Sequence, residues 1–292
     1  MDRIDYDVIT ACGEDCTGCE KRRKGACPGC IAADGAVPEW AGSGRCPVHA
    51  CCRSHHVQFC GLCTEFPCAD LQKLVHWNPD IIQHQQRLAV QYRGRGYPGR
   101  LQAELLLAEA EQRNPGPWGD HSRTAAHCAS KIASYAGMDP EKAYVFGLLH
   151  DIGRRFGKSH LRHVSDGYTY MLSLGYADVA RICLTHSFNT KRIEGYIGNF
   201  DTGEDETAMI RNRLQEIVFD DYDLLIQLCD AVAGAGGVMD IVDRMSDVKQ
   251  RYGHYDQEKW DTNLALKAYF ESRMGKDLYD AVEKDRYFPK GG

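Results

Sequence analysis

The dipeptide His150-Asp151 closes an apolar stretch, Tyr144-Val145-Phe146-Gly147-Leu148-Leu149, and Gly153 stops the helix just beyond it. An ionised Asp at the inner end of such a helix is costly without a partner. A divalent metal ion is one such partner, and imidazole plus carboxylate is a hard-to-borderline ligand set. Other positions repeat the arrangement. His121 opens DHSRTAAHCASKIA, where Ala125, Cys128, Ile132 and Tyr135 form one apolar stripe. His186 closes VARICLTH, and Asp230 follows Leu224, Leu225, Ile226 and Leu228. Four helices that each present one ligand inward are how metal sites are built in helical bundles. His163, in HLRHVSDGYTYM, also stands out; His160 competes for its role, and the Asp-Gly-Tyr that follows favours His163. A lone His in a helix is more often a packed or surface residue, and His55, His76, His84, His127 and His254 are read that way. His127 follows His121 by six residues, which places the two on different helical faces.

A second chemistry is thiolate. Of 14 cysteines, 11 lie between Cys12 and Cys68. They are spaced Cys12-x3-Cys16-x2-Cys19, Cys27-x2-Cys30, Cys46-x4-Cys51, Cys60-x2-Cys63 and Cys68. A C-x2-C pair puts two sulfurs on one tight turn, and two such pairs close a tetrahedral zinc site. Structural zinc held by Cys12, Cys16, Cys19, Cys27, Cys30, Cys46, Cys51, Cys60, Cys63 and Cys68 is therefore expected. An iron–sulfur cluster or a redox relay is the alternative. Ten thiolates exceed the eight that two four-thiolate sites need, His49, His55 and His56 are further possible ligands, and the spacing does not say which cysteines share an ion. Cys52 is the best candidate for an unused thiol. Cys128, Cys183 and Cys229 lie in helical patterns and are expected as small core residues.

Two resemblances follow from these residues. The run ACGEDCTGC … CPGC … CPVHAC … FCGLCTEFPC is similar, over roughly residues 8–72, to the Cys-rich domains known as DUF3795, which implies a boundary and no activity. The strings DHSRTAAHCASKIA, GLLHDIGRR and LIQLCDAVA resemble the HD superfamily of metal-dependent phosphohydrolases over about residues 116–235. That resemblance implies that His121, His150, Asp151 and Asp230 hold a first metal. His163 lies twelve residues after Asp151 and His186 another 23 on, and HD proteins with two metals add His ligands at corresponding places. It thus implies a dinuclear centre of Fe, Mn, Mg, Ni or Zn with Asp151 as bridge. The implied activity is hydrolysis of a phosphate ester, a nucleotide or another small phosphorylated molecule, with the ions activating water and clamping oxygens. Asp151 and Arg154 would be catalytic. Arg154, Arg155 and Lys158 would bind substrate phosphate; Arg154 stands where many HD enzymes have Lys, and Arg grips phosphate bidentately. The bland reading of these three is a solvated loop. Lys191 and Arg192, after His186, are candidates for a substrate lid. Gly96-Tyr97-Pro98 spells a signature of the cyclic-di-GMP branch but precedes the first ligand, so it is read as a turn. Two other readings stay open: an HD-type di-iron oxygenase, whose ligand order is similar, and a nucleotide-binding sensor without turnover whose Cys-rich module contacts a partner.

The elements that must position these residues divide near residue 70. Before it the chain is rich in Cys, Gly and Pro; after it helix signals dominate. The expected organisation is a Cys-rich zinc module at 1–72, a helical connector at 73–115 and an HD domain at 116–292. The fold class is mainly α, an all-α HD bundle with a small Cys-rich metal-binding module. After a helix at 81–92 and another carrying Leu101, Leu105 and Ala108, helices are expected near 121–136, 140–151, 161–174, 176–187, 206–217, 220–233, 237–251, 256–274 and 276–285. Residues 188–205 read as a long loop, and the helices after 237, including Trp260 to Tyr269, as scaffold. A net charge of −6 over 292 residues argues against a phosphate-coating surface, so no nucleic-acid partner is expected. The run Lys21-Arg22-Arg23-Lys24 is read as a solvated loop. The acidic N-terminus is not a secretory signal, and apolar runs such as Ala143 to Leu149 are too short to span a bilayer. A cytoplasmic protein without a membrane partner is expected; the oligomeric state is not legible.

Overall fold

The computed structural model describes residues 5–73, 75–76 and 78–282. The chain forms two compact units, Met1–Leu106 and Leu107–Gly292. No described helix is long and apolar enough to cross a membrane.

The first unit is built of turns around its cysteines. Short helices α1 (Glu20–Arg23), α2 (Pro47–Ser54) and α3 (Ala69–Gln72) alternate with 3₁₀ turns, one of them at Cys60–Leu62. Two longer helices follow, α4 (Ile81–Arg93) and α5 (Arg100–Arg113). The core centres on Tyr92, fully buried, with Tyr6 and Phe59 edge-on to its ring at 4.9 and 5.4 Å. A Cβ on Gly61 would lie 2.4 Å from the Gln85 carbonyl oxygen, so only glycine lets α4 sit directly on the Cys60–Leu62 turn. Gly61 N–H donates to Gln85 Oε1 at 2.8 Å. The helices expected as a connector therefore divide: α4 packs on the Cys-rich segment, and the boundary between the units falls inside α5. Gly96-Tyr97-Pro98 is a turn, with Gly96 at φ 79° and Arg95 over the Tyr97 ring.

The second unit is helical. It contains α6 (Trp118–Ala136), α7 (Pro140–Leu149), α8 (Arg162–Ser173), α9 (Ala177–Thr185), α10 (Glu204–Glu216), α11 (Asp221–Val232), α12 (Ile241–Tyr252), α13 (Gln257–Met274) and α14 (Leu278–Val282). A two-stranded antiparallel hairpin, β1 (Ala233–Gly234) and β2 (Gly237–Val238), interrupts them. The ends are written in the sequence. Gly137 ends α6 at φ 71°, and Asp139 caps α7 through Glu141 N and Lys142 N with Pro140 at the first position. Asp220 opens α11 with a reciprocal capping box to Asp223. The last expected helix is observed only to Val282; 283–285 lie outside the described residues.

Small residues set how closely the site's helices approach. Ala125, Ala126, Ala129 and Ala133 on α6 are wholly buried. A Cβ on Gly147 of α7 would lie 2.6 Å from Ala126 Cα. The α6 stripe includes Ala125, Cys128 and Ile132 as expected, but Tyr135 is half exposed, with the Lys276 ammonium 4.7 Å from its ring centre. Cys128, Cys183 and Cys229 are buried. Leu161, Val164, Leu184, Phe188, Ile193, Ile210 and Leu214 form a core cluster that anchors α8, α9 and α10 together. It also packs the start of the 188–205 segment, which carries a 3₁₀ turn at Ile193–Gly195.

Candidate metal centre

Six side chains converge, and each comes from the end of an element. His121 sits in the first turn of α6, His150 caps α7, and Asp151 opens the 3₁₀ turn Ile152–Phe156. His163 begins α8, His186 caps α9 and Asp230 lies in the last turn of α11. They form two triads whose ligand atoms all lie within 4.8 Å of one another: His121, His150 and Asp230, and Asp151, His163 and His186. In the first, His121 Nε2 is 3.0 Å from Asp230 Oδ1 and 3.2 Å from His150 Nε2, and His150 Nε2 is 3.7 Å from Asp230 Oδ1. In the second, Asp151 Oδ1 is 3.1 Å from His163 Nε2 and 3.5 Å from His186 Nε2, which are 3.2 Å apart. Asp151 Oδ2 is 4.0 Å from His150 Nε2, so this one carboxylate faces both triads.

The backbone fixes the tautomer of every histidine. His121 Nδ1 donates to the Ala233 carbonyl at 3.1 Å, His150 Nδ1 to Gly147 at 2.7 Å and His186 Nδ1 to Cys183 at 2.9 Å. His163 Nδ1 donates to the His160 carbonyl. A carbonyl only accepts, so each Nδ1 carries the proton and each Nε2 turns a lone pair inward. Two such lone pairs at 3.2 Å repel unless a cation lies between them. Asp151 Oδ1 is buried and has no hydrogen-bond partner, an acceptor left for the same cation. The donor set of four imidazoles and two carboxylates fits divalent metal.

The carboxylates are ionised. Burial alone would raise Asp151, but Arg154, His163 and His150 together hold it well below the usual carboxylate range. Asp230 is held low against burial by His121 and His150. Burial, with Arg154 adding to it, pushes His163 down to about 4, so it is neutral at physiological pH. His150 goes the other way: Asp151 and Asp230 outweigh burial and raise it.

The triads open onto a cavity of about 520 Å³ that Arg154 also lines. Arg154 Nε donates to Asp151 Oδ2 at 2.6 Å, which leaves its terminal nitrogens for a ligand or for Ser159 O at 3.4 Å. Neighbouring candidates are not brought to this cavity. Arg155 is buried, paired with Glu109 and stacked 3.9 Å from the Tyr170 ring centre. Lys158 is exposed and outside the lining. Lys191 donates to Ile217 O at 2.7 Å, and Arg192 pairs with Asp256 and Glu258, so both are tied to the scaffold. His160 supplies only a carbonyl to the centre. The segment after 237, expected as scaffold, contributes Arg244, Arg251, Tyr255, Lys259 and Asn263 to the lining, and Gln227 comes from α11. Gln227 precedes Asp230 by three residues on one helical face, a signal the sequence did carry.

In the first unit all ten candidate zinc ligands are free, partly buried thiols. Cys51, Cys60, Cys63 and Cys68 line one small cavity together with Cys52 and His55. Cys52 is buried 3.6 Å from Cys60 Sγ, and this contact lowers the Cys60 thiol. Cys30 is raised to about 12 by burial and by Cys16, Cys12 and Cys46, which form a second neighbourhood. Cys19 and Cys27 act on Lys21 instead. His49 is paired with Asp34 at 2.9 Å. Among the described residues no three thiols draw together as closely as either His/Asp triad.

Comparison with curated proteins and with solved structures finds no match. Among protein families, residues 118–235 match the HD domain, and the six converging side chains lie within that span. Residues 8–73 match the family described as Protein of unknown function (DUF3795). The chain therefore carries a segment similar to DUF3795 followed by one similar to the HD domain.

Proposed function

We propose that the HD domain hydrolyses a small phosphate ester, such as a nucleotide, at a dinuclear centre. His121, His150, Asp151 and Asp230 hold one ion; His163, His186 and Asp151 hold the other. The observation that carries this reading is Asp151, whose carboxylate faces both triads while its Oδ1 has no hydrogen-bond partner. The ions supply Lewis acidity to the phosphoryl group and to the attacking water. Arg154 keeps Asp151 ionised and aimed between the triads, and its terminal nitrogens hold a phosphoryl oxygen. The backbone carbonyls lock the four imidazoles as acceptors, so the ligands need no rearrangement when an ion arrives. In the first unit, we propose that the cysteines bind structural zinc, with Cys51, Cys60, Cys63 and Cys68 as one site.

The test is elemental analysis of anaerobically purified protein combined with turnover of a phosphate-ester panel without oxygen. Two ions per HD domain and phosphate release are expected. Asp151→Ala should lose both ions and at least a thousandfold in rate, with the zinc of the first unit retained. A mixed-valent iron pair with oxygen consumption and no phosphate release would assign the oxygenase reading; full metal content and activity in Asp151→Ala would defeat the centre itself.

A further inference from the structure

The cavity beside the two triads is lined in part by α12, α13 and the residues between them, a stretch beyond the 118–235 that match the HD domain. Its cations are not equivalent. Arg244 and Arg251 share Asp247, at 3.5 and 2.9 Å. Lys259 differs. Its Nζ donates to the Ser187 carbonyl at 2.6 Å, and among the described residues it makes no ion pair. An ammonium has three N–H donors, so this one keeps two for a ligand. Burial pushes Lys259 down to about 8 against the opposing pull of Asp230 and Asp256, the mark of a cation short of solvent. Two neutral acceptors in the lining are also unspent: Gln227 Oε1 and Asn189 Oδ1 are buried without a hydrogen-bond partner.

Charge then limits the ligand. The lining carries Arg154, Arg244, Arg251 and Lys259 against Asp151, Asp230 and Asp247. Adding two divalent ions makes the cavity more positive than a single phosphoryl group offsets. We propose that Lys259, supported by Arg244 and Arg251, is an anion subsite, and that the substrate carries a second phosphate or carboxylate besides the phosphoryl group at the metal centre. This rests on the phosphohydrolase reading for the first group and on its two ions for the charge balance. Gln227 and Asn189 suit hydroxyl or amino groups on the body between the two anions.

The experiment is an anaerobic calorimetric titration of the full-length, Mn²⁺-loaded protein with methylphosphonate and with α,ω-alkane diphosphonates of increasing length. At least one diphosphonate should bind ten times more tightly than methylphosphonate. Lys259→Gln should erase that preference while changing methylphosphonate affinity and metal content less than twofold, and Lys259→Arg should restore most of it. If no diphosphonate is preferred, or if Lys259→Gln weakens both ligands alike, the subsite is overturned. Loss of metal in Lys259→Gln with the preference intact also overturns it and leaves Lys259 as a clamp on Ser187. Should that variant not fold, Arg251→Gln must show the same loss specific to diphosphonates. The phosphate-ester panel reads out separately: preference without phosphate release keeps the subsite and removes the hydrolase reading, and release without preference does the reverse.

Discussion

At the residue scale, two differences within the centre decide how protons and ligands compete there. The first is between His150 and His163. Asp151 and Asp230 raise His150 against the effect of burial, while burial and Arg154 lower His163 to about 4. A raised imidazole takes its proton at a higher pH, so acid displaces the ion at the His121, His150 and Asp230 triad first. On stepwise dialysis toward acid, the ion at this triad should leave at a higher pH than the ion held by His163. Elemental analysis at each step checks this, and a single concerted release would contradict it. The second difference is within Arg154, whose Nε is committed to Asp151 while its other nitrogens face the cavity. Lysine offers one nitrogen where Arg154 uses separate ones for Asp151 and for the cavity, and it lacks the bidentate fork that grips phosphate. Arg154→Lys should therefore raise KM by about tenfold or more, the worth of one charge-assisted hydrogen bond, at unchanged metal content; unchanged kinetics would show that Arg154 serves only Asp151.

At the scale of elements, the site was legible where ligands end helices. Apolar runs that stop at His150, His186 and Asp230, with Gly and capped Asp residues at the joints, say where each helix ends and what it presents. The hairpin at Ala233–Val238 escaped because two-residue strands are too short to alternate, yet the Ala233 carbonyl fixes His121. Arg155 was misplaced because position along the chain cannot show that Glu109 and Tyr170 bury it. The cavity wall from α12 and α13 escaped for a similar reason: Lys259 and Asn263 lie on a helix whose pattern reads as ordinary scaffold, and only packing brings them to the cavity beside the triads. One close approach inside the centre gives a sharp test. A Cβ on Gly153 would lie 1.9 Å from the His163 carbonyl oxygen and 2.5 Å from Gly167 N, both backbone atoms of α8. Gly153→Ala must push α8 away and carry His163 with it. We expect a loss of about 3 kcal/mol in stability and loss of the ion bound by His163. Gly236→Ala, with nothing within 4 Å of the added Cβ, should be near neutral; chemical denaturation with metal analysis compares the two.

At the scale of the whole molecule, two kinds of ligand are separated along the chain: thiols between Cys12 and Cys68, and imidazole with carboxylate between His121 and Asp230. The two sets share no residue. They also differ in what holds them before any ion arrives. The four imidazoles are locked by backbone hydrogen bonds inside an alanine-rich helical core, whereas Cys51 and Cys63 are raised by burial and by neighbouring thiols. Raised thiols must lose protons to bind metal, so binding there releases protons and couples to folding more strongly than binding at the imidazoles. A short Cys-rich segment with little buried apolar surface depends on that coupling. Replacing both Cys60 and Cys63 by Ser should therefore remove the zinc proposed at Cys51, Cys60, Cys63 and Cys68 and lower the unfolding temperature of that unit by about 10 °C or more, while the ions at Asp151 remain. Conversely, Asp151→Ala should leave the zinc and its transition unchanged. Scanning calorimetry with elemental analysis of both variants tests the pair. If the cysteine variant lost the HD ions as well, the two metal sets would be one cooperative system, and the separation argued from their ligands would not hold.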